Sequence, residues 1–132
     1  MAQPITTALL PPLWLIHVAV AAVWFYEGLW CKIFNGQPRQ VRVVEAVPLY
    51  GPRIATKLLK LLGVAETAIG VWVLTGIAPV VCALAQTALL VTLNLCGLLW
   101  ARRLIEDPAG MIVKNFAFLV LVWISASFPA WR

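Results

Sequence analysis

Four polar side chains occur inside long apolar runs, where their chemistry would be unusual. Glu27 lies in the first run, Glu66 in the second, Asn94 in the third and Asn115 in the fourth. An ionisable group at bilayer depth costs about 2.5–3.5 kcal/mol on insertion scales, so it is rarely retained without a function. Carboxylates can accept protons, and amides can donate and accept hydrogen bonds. The pattern predicts a polar site within a membrane.

The apolar runs that carry these residues predict four membrane-spanning helices. Their bounds are about 12–34, 58–77, 79–100 and 109–128, and each is near the ~20 residues that cross a hydrocarbon core. A hydrophobic content of 63% with 11% charged residues excludes an ordinary soluble domain. We therefore expect one transmembrane domain over residues 1–132, with an all-α fold that is an integral membrane four-helix bundle.

Two further segments carry local signals. Asp107 and Pro108 predict the N-cap and the first position of the fourth helix. The segment Pro38–Val47 interleaves charged residues with valines, which predicts a short amphipathic helix in the headgroup plane between the first two spans. An irregular basic loop is the alternative for that segment.

The basic residues predict the orientation. Nine of the ten lie in or beside the links between the first and second runs and between the third and fourth: Lys32, Arg39, Arg42, Arg53, Lys57, Lys60, Arg102, Arg103 and Lys114. Arg132 alone lies on the other side. The positive-inside rule then predicts both termini outside and both basic loops in the cytoplasm, as for a multi-pass protein of a bacterial inner membrane.

The four polar residues share one depth. Measured from the helix ends beside the basic links, they lie roughly 9–12 Å into the membrane at the α-helical rise. Gly63, Glu66 and Gly70 share a helix face, and small residues let membrane helices approach closely, so Glu66 should face the bundle. Glu27 instead shares its helix face with Trp24, which is not a small residue, so the argument from small residues applies less well to Glu27. We expect a polar pocket open toward the cytoplasm.

Two carboxylates in such a pocket cannot both be charged cheaply, so they need a shared proton or a cation. Lys114 is the candidate cation, and the alternative is that its ammonium extends to the interface. For Asn94 and Asn115, interhelical hydrogen bonds that fix helix register are an alternative to ligand binding. A neutral Gln would serve that purpose as well as Glu, so we favour a function for the glutamates.

Other chemistries have less support. Trp24 and Trp72 lie away from the predicted boundaries and would suit a flat hydrophobic ligand such as a quinone, although packing also explains them. His17 is the sole histidine, which excludes bis-histidine haem ligation, and we expect it to form hydrogen bonds near the interface. The spacing predicts no metal site, and the basic residues flank apolar runs instead of forming a nucleic-acid surface. A self-contained enzyme is not expected.

Three strings of residues resemble the DoxX-like family. They are Trp24-Phe25-Tyr26-Glu27-Gly28-Leu29-Trp30-Cys31-Lys32, Gly63-Val64-Ala65-Glu66-Thr67-Ala68-Ile69-Gly70, and Asp107-Pro108 leading to Lys114-Asn115-Phe116. The resemblance spans roughly Leu13 to Ser125 and implies a four-helix integral membrane protein with Glu27, Glu66 and Asn115 in a polar core. The family takes its name from a membrane subunit associated with thiosulfate:quinone oxidoreduction.

Three functional hypotheses follow. The first is a membrane subunit of a redox system, with a redox partner subunit, whose polar core binds a quinone-like or small hydrophobic ligand and uses Glu27 and Glu66 as proton acceptors. The second is a proton-coupled small-molecule transporter that acts as a homo-oligomer, because four helices enclose little space. The third is a membrane scaffold that docks a soluble enzyme on its basic face.

Overall fold

A computed structural model describes residues 11–34, 36, 39–46 and 52–127 of the protein. Its elements are α1 (Leu13–Phe25), which continues into a π-helical segment (Tyr26–Ile33), then α2 (Arg39–Glu45), α3 (Pro52–Thr75), α4 (Pro79–Trp100), a 3-10 turn (Arg102–Leu104) and α5 (Pro108–Ser127). The described part of the chain contains no strand. The predicted all-α class is confirmed.

Four helical segments are long and apolar enough to cross a membrane, namely Leu13–Ile33, Ile54–Thr75, Pro79–Trp100 and Pro108–Ser127. The predicted four-helix bundle is therefore confirmed. The second spanning helix, α3, begins at Pro52 instead of the predicted Leu58, because proline is tolerated in the first turn of a helix. Phe128, the predicted end of the fourth helix, and Arg132 lie outside the described residues.

Helix α5 begins as the sequence predicts. Asp107 Oδ1 accepts a hydrogen bond of 3.0 Å from the Gly110 N–H, which satisfies a donor that the first turn would otherwise leave unpaired. Pro79 occupies the first position of α4. Helices α4 and α5 each carry one of the two predicted asparagines, Asn94 and Asn115.

A close helix contact joins α3 to the π-helical segment at two glycines. A Cβ atom on Gly28 would lie 2.6 Å from the Gly63 carbonyl oxygen, and one on Gly63 would lie 2.7 Å from the Gly28 carbonyl oxygen. Neither position has room for a side chain. This close approach of the two helices brings Lys32 within reach of Glu66. Gly63, Glu66 and Gly70 are all buried, as their shared helix face predicts.

The predicted amphipathic helix between the first two spans is present as α2. Val43 and Val44 are half-buried, whereas Arg42 and Glu45 are exposed, so the apolar side of α2 faces the bundle at the end that carries the basic links. The ends of the predicted segment, Pro38 and Val47, lie outside the described residues.

Candidate functional site

The site begins with the π-helical segment. The Phe34 N–H donates to the Leu29 carbonyl at 2.8 Å, a bond that spans five residues. Positions five apart lie about 140° apart around an α-helix at 3.6 residues per turn. A π-helical turn returns them to nearly the same side, so Glu27 and Lys32 face each other across one turn. Local π-helix is uncommon and occurs frequently at functional sites.

Lys32 lies between the two glutamates. Its Nζ atom is 2.9 Å from Glu66 Oε2 and 3.5 Å from Glu27 Oε2. The exposed fraction of the side chain is 8% for Lys32, 2% for Glu66 and 39% for Glu27. Burial thus separates the two ion pairs: the Lys32–Glu66 pair is enclosed, whereas Glu27 reaches the surface of the site.

The charges in this cluster do not cancel when all three groups are ionised. Within these three side chains, one ammonium lies beside two carboxylates. In addition, Glu66 Oε2 is buried and accepts no well-aligned hydrogen bond from the described residues, although Lys32 is close. Buried charge is expensive unless it is both paired and hydrogen-bonded.

The two asparagines form a second polar pair beside this cluster. Asn115 Nδ2 on α5 donates to Asn94 Oδ1 on α4 at 2.7 Å, and Asn94 Nδ2 donates to the Leu90 carbonyl at 2.7 Å. The first of these bonds joins two helices, as the register hypothesis requires, and the second lies within α4. They use only part of the hydrogen-bonding capacity of the two amides, because each amide can make two donor contacts and accept at its oxygen.

Both polar pairs line one cavity of about 320 Å³. Its wall also includes Trp24, which donates from Nε1 to Gln86 Oε1 at 2.7 Å and packs edge-to-face against Phe118 at a centroid distance of 5.7 Å. Most of the remaining wall is aliphatic, with Val43 and Val44 of α2 among the lining residues. The predicted residues that meet here are Glu27, Glu66, Asn94, Asn115 and Trp24.

Two predicted site residues lie elsewhere. Lys114 is exposed and does not line the cavity, so its placement fits the alternative in which the ammonium extends to the interface. Trp72 lies three residues before the end of α3 and donates from Nε1 to the Ile77 carbonyl at 2.7 Å. It therefore stabilises the link between α3 and α4 at the opposite end of the bundle.

Sequence reasoning missed Lys32 as the compensating cation. On an α-helix, Lys32 would face away from Glu27, and its place near a helix end resembles that of the orienting basic residues. The Glu-x-x-x-x-Lys spacing becomes a signal only when a π-helical turn is considered. The glycines at 28 and 63 are the second signal, because they permit the close approach that brings Lys32 to Glu66.

A smaller polar cluster lies toward the termini. His17 Nδ1 is 2.7 Å from Ser125 Oγ, and both residues are buried. Gln86 is also buried, and its Nε2 donates to Cys82 Sγ at 3.4 Å. All four residues line a cavity of about 20 Å³. Among the described residues, no group of three His, Cys, Asp or Glu side chains could hold a metal ion.

The fold and this buried site define a small integral membrane protein with four apolar helices around a charged cavity. Residues 21–123 match the DoxX-like family. This match covers well over half of the chain, so the protein belongs to that family. No curated protein and no solved structure matches the chain significantly.

Proposed function

We propose that the protein is the membrane subunit of a redox system and that its cavity binds the polar head of a quinone-like or other small hydrophobic ligand. The observation that carries this proposal is the convergence of the Lys32–Glu66–Glu27 cluster and the Asn94–Asn115 pair on one cavity. Ligand sites are typically about 300–1,000 Å³, mostly apolar, with a few convergent polar groups. A cavity of about 320 Å³ meets that description.

The two glutamates have different roles in this proposal. Glu66 is almost fully buried and closest to Lys32, so it neutralises the lysine and fixes its position. Glu27 is partly exposed and lies further from the ammonium, with 3.5 Å between Lys32 Nζ and Glu27 Oε2. Glu27 is therefore the group that exchanges a proton with the ligand or with water, Lys32 is a hydrogen-bond donor to the ligand, and Glu66 is the positioning residue that holds Lys32.

The residues present fit a quinone-like head. Lys32 and the asparagine amides are donors for carbonyl oxygens, Glu27 and Asn115 Oδ1 are acceptors for hydroxyl groups, and Trp24 supplies an apolar wall. A quinone supplies two-electron, two-proton redox chemistry when bound. The redox part of the proposal rests on the association of the family name with thiosulfate:quinone oxidoreduction, and an electron donor would come from a partner subunit.

Proton-coupled transport by an oligomer is the second candidate. The observation that favours it is the partly exposed Glu27 carboxylate within a spanning segment, because a carrier needs a membrane carboxylate that takes up and releases protons. The docking of a soluble enzyme on the basic face is the third candidate, supported by the exposure of Arg42, Arg102 and Arg103.

We also propose that the basic end faces the cytoplasm of a bacterial cell and that both termini lie outside. Nine of ten basic residues flank that end, which is a strong charge asymmetry. A reporter active only outside the inner membrane, fused after Arg132, should be active. A reporter of the same kind inserted between Arg103 and Glu106 should be inactive, and the opposite pattern would overturn this orientation.

The ligand proposal is tested by mass spectrometry of the lipids that copurify with the protein in mild detergent. Wild type is compared with Glu27→Gln and Asn115→Leu, which change the cavity, and with Glu45→Gln, which changes an exposed glutamate on α2. A hydrogen bond to a charged group contributes about 1.5–3 kcal/mol, so ligand retention should fall about tenfold or more in Glu27→Gln.

The expected result is a quinone-class molecule enriched by wild type and by Glu45→Gln but lost from the two cavity variants. If neither the wild type nor any variant enriches a quinone-class molecule, the ligand proposal is contradicted. Proton flux in proteoliposomes that depends on Glu27 would then favour transport. Recovery of a soluble enzyme that is lost on charge reversal at Arg42 would favour the scaffold.

A further inference from the structure

A second pocket lies outside the charged cavity, at the end of the bundle that carries the basic links. Its volume is about 310 Å³, and its lining residues are Arg42, Arg103, Leu104 and Glu106. Arg42 belongs to α2, whereas the other three belong to the 3-10 turn and the residues before α5. The pocket therefore bridges two elements that the chain joins only through α3 and α4.

The position of this pocket is at a membrane boundary. The 3-10 turn directly follows α4, and Trp100, the last residue of that spanning helix, is 45% exposed. Aromatic residues at such positions mark the headgroup level of the bilayer. Leu104, which is also exposed, gives the pocket an apolar edge. A ligand here can have a polar head at the arginines and an apolar part in the membrane.

We propose that this pocket binds the headgroup of a phospholipid with a single net negative charge, of the phosphatidylglycerol type. Among the described residues, two guanidinium groups and one carboxylate line it, so its basic groups outnumber its acidic group by one. A phosphodiester carries one negative charge, and planar guanidinium groups bind phosphate oxygens in bidentate geometry. The Glu106 carboxylate in the same lining disfavours a doubly charged phosphate monoester by like-charge repulsion.

Such binding would also fasten α2 against the bundle. Arg42 lines the lipid pocket, while the next two residues, Val43 and Val44, line the charged cavity on the inner side of α2. One phosphate bound by both Arg42 and Arg103 would link α2 to the 3-10 turn through two charge-assisted contacts. The lipid thereby holds the helix that covers one side of the charged cavity.

The test is native mass spectrometry of the detergent-solubilised full chain with dioleoyl phosphatidylglycerol or dioleoyl phosphatidylcholine. Wild type should bind the anionic lipid more tightly than the zwitterionic one. Because a basic residue near a membrane surface contributes about 1 kcal/mol, Arg42→Gln and Arg103→Gln should each weaken phosphatidylglycerol binding about fivefold. Arg102→Gln is the matched control, since Arg102 is exposed in the same turn and does not line the pocket.

Three results would overturn the proposal: no preference for phosphatidylglycerol, an equal loss of binding in Arg102→Gln and Arg103→Gln, or equally tight binding of soluble glycerol phosphate. The first would leave no anion site, the second would indicate general surface charge, and the third would indicate free phosphate as the ligand. Hydrogen exchange tests the fastening of α2: exchange across Arg39–Glu45 should slow on lipid binding in wild type and remain unchanged in Arg42→Gln. Unchanged exchange in wild type would refute the fastening.

Discussion

Replacing the buried lysine by Met should strongly destabilise the protein. In Lys32→Met the apolar stem is largely kept, while the carboxylate of Glu66 loses its cation inside the bundle. Lys32 Nζ is 2.9 Å from Glu66 Oε2 and 3.5 Å from Glu27 Oε2. The longer distance lowers the Coulomb attraction by only about a sixth. The difference in burial therefore decides which pair matters for stability.

The magnitude follows from that burial. Removing one partner of a buried ion pair costs about 3–5 kcal/mol, because the other charge stays uncompensated. The Lys32–Glu27 contact is partly exposed to water and adds no more than about 1 kcal/mol. We expect Lys32→Met to lose about 3–5 kcal/mol of unfolding free energy, and the double variant Lys32→Met/Glu66→Gln to regain at least about 2 kcal/mol of that loss.

The assay is reversible unfolding by SDS in mixed micelles, followed by tryptophan fluorescence. Lys60→Met is the matched control, because Lys60 is exposed on the same helix as Glu66, and it should change stability by less than about 0.5 kcal/mol. The reasoning fails if the effects of Lys32→Met and Glu66→Gln add with a coupling energy below about 0.5 kcal/mol. It also fails if Lys60→Met is as destabilising as Lys32→Met.

Three further predictions use the same unfolding assay. Gly28→Ala should cost about 1–3 kcal/mol by overpacking against α3, whereas Gly97→Ala should cost less, because its new Cβ would meet only the end of a side chain at 3.3 Å; equal losses would contradict the close backbone approach. Trp24→Phe should cost about 1–3 kcal/mol, because it leaves the buried Gln86 oxygen without its donor, and no loss would exclude that bond. Asp107→Ala should cost about 1 kcal/mol and Asp107→Asn much less, since only the first removes the cap of α5.

The sequence predicts the spans well because membrane insertion depends on composition and length, which are local properties. It also predicts that Glu66 faces inward, because the two flanking glycines mark the face of closest approach. It does not predict the position of Lys32, because residues 27 and 32 face apart on an α-helix and come together only on the π-helical segment that follows Phe25. The cation beside the two glutamates is therefore Lys32 and not the predicted Lys114.

The geometry of the cluster also bears on why two glutamates are present in place of one. Protonation of Glu66 would break the enclosed Lys32–Glu66 ion pair, which is costly for a buried pair. On the proposed function Glu27 is the group that exchanges the proton, because its partial exposure would let the proton reach water or a ligand without breaking the Lys32–Glu66 pair. If this division of roles holds, Glu27→Gln abolishes ligand-linked proton uptake while leaving stability within about 1 kcal/mol of wild type. A Glu27→Gln variant that unfolds as readily as Lys32→Met would instead mean that the three groups act as one structural unit.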